Sequence, residues 1–322
     1  MIIKGCEAMT ISHYLGLLGG LALFLFGMEL LSEGLTEGLG ERLEIFLLKL
    51  TNHKWKAIGV GTLLTCLIQS SSAMSVILIG FLNAHIMSLK RAIWVMMGAN
   101  IGTTITGQMI ALDIGMFAPL LAFVGVCLYL ISQGIKHLCG QVMMALGLLF
   151  MRLEMMAQSM LPLQHSSTFV NALMHIQNPI WGVCIGMLFT ASIQSSSASI
   201  GILQILASKQ LISFHQAVYL ILGFDLGTCI TGFLASLKGS RNGKRLALFH
   251  FLFNVVGAIS FLIISQMIPL VDWIAGWTPL SPLHQIANMH TFYNMMTTFI
   301  VLLCEPYLIQ TIQWIYPYHH KK

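Results

Sequence analysis

Charge is what this sequence has least of. Only 8% of its 322 residues are Asp, Glu, Lys or Arg, and 57% are hydrophobic, against a charged share of about 25% in soluble domains. A chain so composed cannot clothe a soluble globule. Apolar stretches of 18 or more residues recur along its whole length, the signature of membrane-spanning helices. Other absences narrow the chemistry. The seven cysteines, at 6, 66, 127, 139, 184, 229 and 304, form no CxxC pair and no His/Cys cluster. They read as small buried packing residues and not as a metal centre. The opening MIIKGCEAMT lacks the basic start and small-residue cleavage site of a secretory leader. No serine sits in a G-x-S-x-G elbow and no His/Asp pair lies near the serine strings, which disfavours an intramembrane serine hydrolase. The expectation is no enzyme and no cofactor.

What is there is a polar string in an apolar run, twice. Gln69-Ser70-Ser71-Ser72 is echoed by Gln194-Ser195-Ser196-Ser197, 125 residues later. The offset holds without a gap well beyond the motif: between 61 and 107, 19 of 47 positions are identical to their mates. Gly98, Asn100, Gly102 and Thr103 land on Gly223, Asp225, Gly227 and Thr228, and Glu29 lands on Glu154. Chance does not hold register for that long. The chain is an internal duplication.

Apolar spans are expected at about 15–35, 90–112, 117–135, 138–156, 213–236, 246–268 and 284–306, with an amphipathic surface helix over 36–54 and a polar connection over 157–180. The motif stretches 57–82 and 182–207 are either long spans or hairpins that dip in and return. Lys/Arg placement favours hairpins: with the N-terminus outside, 13 of the 16 basic residues fall on the inner side, against 11 if both stretches cross. That location also accounts for the net charge of +5, so no nucleic-acid partner is implied. Each repeat then makes three crossings, and the odd number turns the second copy upside down. The expected fold is an all-α polytopic membrane protein, a single transport domain over 1–322. It comprises inverted repeats at 13–137 and 138–270, each with a re-entrant hairpin and a broken transmembrane helix, and an additional helix at 281–306.

A helix break in lipid frees backbone N–H and C=O groups, tolerated only where they are re-satisfied or line a wet cavity. Serines after the break can cap the second half-helix, and the helix N-terminus favours an anion. The glycine pairs 98/102 and 223/227 suggest the second kind of break, with Asn100, Thr103, Asp225 and Thr228 supplying hard oxygens for a small cation. A carboxylate inside a span marks an ion or proton path, which singles out Asp225. Glu29 and Glu154, near span ends, read as interfacial. His250 and Asn254 share a helical face, echoed by His290 and Asn294, and suit either interhelical bonding or site support.

These residues resemble the type II sodium/phosphate cotransporters and their bacterial relatives. The resemblance rests on the doubled QSSS, on GANIGTTIT at 98–106 and on HFLFN at 250–254, and covers about 15 to 305. It implies an inverted-repeat fold with QSSS at the hairpin tips, and sodium-coupled symport of inorganic phosphate across the plasma membrane. On that reading Gln69, Ser70, Ser71, Ser72, Gln194, Ser195, Ser196 and Ser197 bind substrate. Asn100, Thr103, Thr104, Asp225 and Thr228 bind Na+, with His250 and Asn254 in support. The partners are phosphate, Na+ and the bilayer, the C-terminus is cytoplasmic, and a homo-oligomer is left open. Three departures stand out: Asp225 where the family pattern has Asn, no His-x-x-x-Asn in the first repeat, and no PhoU-like domain after the last span. Asp225 leaves open the cation number, H+ in place of Na+, and another oxyanion as substrate; an ion-driven phosphate exporter of the same fold is a further alternative. A purely structural membrane subunit would have no use for the duplicated motif.

The hairpin reading makes a topological prediction. Single cysteines at Asn52 and Ser88, in a background without native cysteines, should both react with an impermeant reagent from the cytoplasmic face. Labelling from opposite faces would refute it.

Overall fold

The computed structural model describes residues 10–39, 45, 47, 49–112, 115–160, 162 and 176–317, with the side chains of 39, 154 and 157 excepted. Part of the expected surface helix at 36–54 and most of the connection at 157–180 therefore lie outside the described residues, as does the side chain of Glu154. Among the described residues the fold is all-helical, without strands.

In chain order, α1 spans Ile11–Leu39, α2 Lys54–Ile68, α3 Ser71–Asn83 and α4 Leu89–Ala111. A 3-10 turn at Gly115–Phe117 leads into α5, Ala118–Ile131. Then come α6 at Ile135–Met160, α7 at Pro179–Ile193, α8 at Ser196–Ser208 and α9 at Phe214–Ser236. α10 spans Arg241–Met267, the short α11 Leu270–Ala275, and α12 Pro282–Ile315. Five of these (α1, α6, α9, α10 and α12) are long and apolar enough to cross a membrane, and α4 with α5 makes a sixth if that bent pair is one span.

The motif helices are too short to cross. At about 1.5 Å per residue, α2, α3, α7 and α8, with 15, 13, 15 and 13 residues, each reach roughly 20 Å against a hydrocarbon core of about 30 Å. Each stretch splits at its motif, at the glutamine that precedes the serines where the split is expected. The stretch at 117–135 differs from expectation. Its helix, α5, has only 14 residues and turns 76° from α4, at the boundary expected between the spans at 90–112 and 117–135. The last helix also runs past 306 to Ile315, carrying Pro306 inside it.

The second expected break is absent. α4 and α9 run unbroken through Gly98–Gly102 and Gly223–Gly227. Those glycines instead let backbones touch. A Cβ on Gly98 would strike the Ile58 carbonyl of α2, and one on Gly61 would strike the Val95 carbonyl of α4. In the second repeat a Cβ on Gly223 would strike the Val183 carbonyl of α7, and one on Gly186 the Leu220 carbonyl of α9. Small residues at i and i+4 are how membrane helices approach closely, because lipid offers no hydrophobic drive to bring them together. The broken-helix expectation mistook packing glycines for flexible ones.

The duplication reaches the backbone. The non-glycine residues with positive φ among those described are Gln69, His85, Gln194 and Gln210. They form two pairs at the same 125-residue offset, marking the start and the end of the second motif helix in each repeat. Positive φ is uncommon without glycine, so sharing it by register is a strong sign of shared structure. Of the six described cysteines, all free, only Cys229 is buried; Cys139 is exposed and the rest are half-buried. The packing role expected for them therefore holds for Cys229 alone.

α12 joins the halves. It meets α4 through Gln108, whose side-chain amide donates to Thr291 at 3.0 Å, and through Trp94, whose indole donates to Glu305 at 3.0 Å. It also reaches the second repeat at Asp225, described below.

Backbone contact at Gly98 is testable. Gly98→Leu should destabilise the protein by at least about 3 kcal/mol, the upper range for overpacking, read as a lowered unfolding temperature in detergent. Gly59→Leu on α2, the helix that Gly98 touches, should be near neutral, since nothing lies within 4 Å of its added Cβ.

Candidate functional site

Each motif begins with a helix that stops. Gln69 ends α2 in the left-handed region, φ 58°, and Gln194 ends α7 at φ 60°. The glutamine amides still close their helices, on Thr65 and Thr190 carbonyls at 2.7 Å each. The next residue swings to extended backbone and caps the following helix: the Ser70 hydroxyl accepts from the Ala73 amide at 3.1 Å, and Ser195 from Ala198 at 3.2 Å. Side-chain oxygens at an N-cap satisfy one of the orphan amides of a helix start. The amides of Ser71 and Ser72, and of Ser196 and Ser197, have no carbonyl available within their own helices. They, with the dipoles of α3 and α8, are suited to an anion.

The two breaks meet. All eight motif residues line one cavity of about 230 Å³, together with Leu25, Met28, Glu29 and Ser32 of α1. The structure thus brings together every expected substrate residue. It also adds α1, which the sequence reading left out. Glu29 lines the cavity although its position near a span end reads as interfacial. Ser32 donates to the Ile68 carbonyl at 2.7 Å, satisfying a backbone group at the end of α2. Thr106 of α4 was also missed. Its hydroxyl donates to the Gln69 side-chain oxygen at 2.7 Å and accepts from Ser197 at 3.3 Å. The signal available for it was register identity with Thr231 just after the glycine motif. The Gln69 side-chain nitrogen donates to the Cys66 carbonyl, so this glutamine is bonded at both ends.

Among the described residues that line the cavity there is no Lys or Arg, and Glu29 is the one charged side chain. An anion there would be met by amides and hydroxyls beside a carboxylate. Bringing a cation with it relieves that repulsion, because hydroxyl and carboxylate oxygens are hard ligands for small cations.

The residues expected to bind cations lie elsewhere. Asn100, Thr103, Thr104, Asp225 and Thr228 are buried and do not line the motif cavity. Asn100 donates to the Met96 carbonyl at 2.9 Å, and its oxygen faces His250 Nε2 at 3.2 Å. Since that oxygen accepts, His250 donates from Nε2. Thr104 and Thr228 bond back to Ile101 and Phe224 within their own helices, at 2.8 and 2.9 Å, as lone hydroxyls in membrane helices commonly do. The Thr103 hydroxyl has no partner.

Asp225 is held on both oxygens. His290 Nε2 lies 3.1 Å from Oδ1, and the Asn294 side chain donates to Oδ2 at 2.8 Å. Asn254 donates to the Asp225 carbonyl at 3.0 Å. The two His-x-x-x-Asn faces thus serve the register mates Asn100 and Asp225: His250 contacts one and His290 the other. A buried carboxylate is costly unless paired and hydrogen-bonded, and this pairing explains how Asp225 is tolerated in mid-helix. Nδ1 of both histidines and the side-chain oxygens of Asn254 and Asn294 remain unpartnered around it.

Comparison with known proteins supplies the wider setting. A family model described as Na+/Pi-cotransporter matches residues 23–158 and 163–275. An uncharacterised Bacillus subtilis protein, YqeW, is 32% identical over 280 residues, covering 87% of this chain and 90% of its own. The Escherichia coli K12 protein YjbB, whose name proposes inorganic phosphate export, is 28% identical over 91% of this chain. The chain spans 53% of the length of that relative. Human sodium-dependent phosphate transport protein 2B is 30% identical over 109 residues, 33% of this chain and 16% of its own. No solved structure matches. That family is one of transporters and not of enzymes, and the motif cavity sits within the matched regions: the chain belongs to the Na+/Pi-cotransporter family.

Proposed function

We propose that the protein is a plasma-membrane secondary transporter that moves inorganic phosphate together with Na+, using the cavity between the two motif breaks as its site. The observation that carries this reading is the convergence of both QSSS strings on one cavity. Phosphate is held there by the Ser71, Ser72, Ser196 and Ser197 amides and by the motif hydroxyls, with the Gln69 and Gln194 side chains beside them. Na+ shares hydroxyl oxygens and is drawn by the Glu29 carboxylate. With no basic side chain among the described lining residues, anion affinity depends on the cation, which is a physical basis for coupling. The two repeats are inverted, and the motif helices form re-entrant hairpins with their tips near the midplane, in keeping with their length of roughly 20 Å.

The cation role of Asn100, Thr103, Thr104, Asp225 and Thr228 belongs to the same proposal, with His250 and Asn254 in support. Geometry refines it: a cation reaching Asp225 must share oxygens already engaged by His290 and Asn294. Export is a second reading, favoured by the name of the Escherichia coli relative. It uses the same site with the gradient reversed.

Radiolabelled phosphate uptake into proteoliposomes tests the proposal. Uptake should rise with an inward Na+ gradient, and outward gradients should drive release if the protein exports. Ser71→Ala and Ser196→Ala each delete a hydroxyl facing the anion. A lost hydrogen bond to a charged group is worth about 1.5–3 kcal/mol, so apparent phosphate affinity should fall roughly ten- to a hundredfold while expression holds. Wild-type transport in both variants would remove the serine strings from the site. Asp225→Asn should raise the Na+ needed for half-maximal uptake, measured across a sodium series at two pH values. A variant that loses only its pH response would assign Asp225 to a proton instead.

A further inference from the structure

Thr106 ties the two motif breaks together, and its register mate does not. Thr106, Gln69 and Ser197 are each at most 5% exposed, and the threonine hydroxyl bridges the other two at 2.7 and 3.3 Å. The corresponding residues 125 positions away are Thr231, Gln194 and Ser72. There the threonine turns back onto the Thr228 carbonyl of its own helix at 2.9 Å. Gln194 is exposed and Ser72 half-buried. Two copies of one set of groups stand in two different bonding states.

The scaffold behind them is the same. α4 meets α8 where a Cβ on Gly107 would lie 3.1 Å from Ile200, and α9 meets α3 where a Cβ on Gly232 would lie 2.8 Å from the Ser75 hydroxyl. Gly107 and Gly232 are register mates, as are Ser75 and Ile200. Each repeat's span therefore packs on the second motif helix of the other repeat. Thr231, next to Gly232, sits beside α3 as Thr106, next to Gly107, sits beside α8. Threonine in a helix divides between two χ1 rotamers, one of which bonds the preceding turn. Thr231 occupies that one, and a rotamer change turns its hydroxyl outward.

Alternating access by two inverted repeats requires that what one repeat does in one state, the other does in the opposite state. Resting on the inverted-repeat transport reading above, we propose that Thr106 and Thr231 are alternating positioning residues. Thr106 latches Gln69 to Ser197 in this conformation, and Thr231 latches Gln194 to Ser72 in the opposite one. Neither threonine lines the motif cavity. Each acts through a glutamine and a serine that do.

The test is a pair of single variants and their combination. Thr106→Val removes the latch of this conformation, and Thr231→Val that of the other. Each should shift the ratio of the two states by about tenfold, in opposite directions, from the loss of two ordinary hydrogen bonds. Each single variant should therefore slow phosphate uptake severalfold. The double variant should be faster than either, because the ratio is restored, and Thr106→Ser and Thr231→Ser should keep the wild-type rate. Hydrogen exchange of the purified protein in lipid discs reads the breaks without transport. Thr106→Val should raise exchange over 66–74 and lower it over 191–199, and Thr231→Val should do the reverse. Alanine at either site gives the same readout where valine packs poorly. Losses that add in the double variant, or exchange changes confined to the mutated repeat, would overturn the latch. A wild-type protein that moves no phosphate would instead defeat the transport reading, and the exchange pattern would still decide the latch.

Discussion

The structure depends on one constraint: in a solvent that cannot hydrogen-bond, a backbone group released from a helix must find a partner inside the protein. Two helices stop in mid-run, at Gln69 and Gln194, and the surrounding protein is arranged around what those stops release. Ser70 and Ser195 recapture one amide each. Ser32 comes from another helix to the Ile68 carbonyl. The residues whose amides remain, Ser71, Ser72, Ser196 and Ser197, line a shared cavity. A binding site is what is left when such accounting is nearly, but not wholly, closed within the chain.

A second layer keeps those stops in place. The first motif helix of each repeat lies against a long helix of the same repeat, and the second lies against the long helix of the other. α12 then pins both, through Trp94 and Gln108 in one half and Asp225 in the other. Asp225 shows how a costly residue is accommodated: the carboxylate that departs from its register mate Asn100 is matched by His290 and Asn294 on a helix outside the duplication.

Much of this was legible in the sequence, for reasons that can be named. The QSSS strings announce their own breaks because serine's preference for an N-cap is local and needs no tertiary context. The duplication was legible because register is a property of the chain. Glu29, Ser32 and Thr106 were missed for the opposite reason. Nothing in α1 says that it will pass the motif tips, and one threonine among many in membrane helices usually bonds its own turn, as Thr228 does. The glycines at 98 and 102 were misread because glycine serves both breaks and close approach, and only a partner backbone distinguishes them. The 76° angle between α4 and α5 was not legible because hydropathy reports the solvent of a segment and says nothing of its direction.

The glycine contacts have a consequence for insulation. A membrane carrier must hold a polar chamber without letting ions slip along its flank. Where side chains form such a wall, their rotamer motions on the ps–ns timescale open transient gaps. Here α2 meets α4, and α7 meets α9, with backbone against backbone at Gly61 and Gly98 and at Gly186 and Gly223. At those positions the contact has no rotamers. The least reactive residue in the chain is thus well placed to keep the membrane's electrical resistance intact around the site.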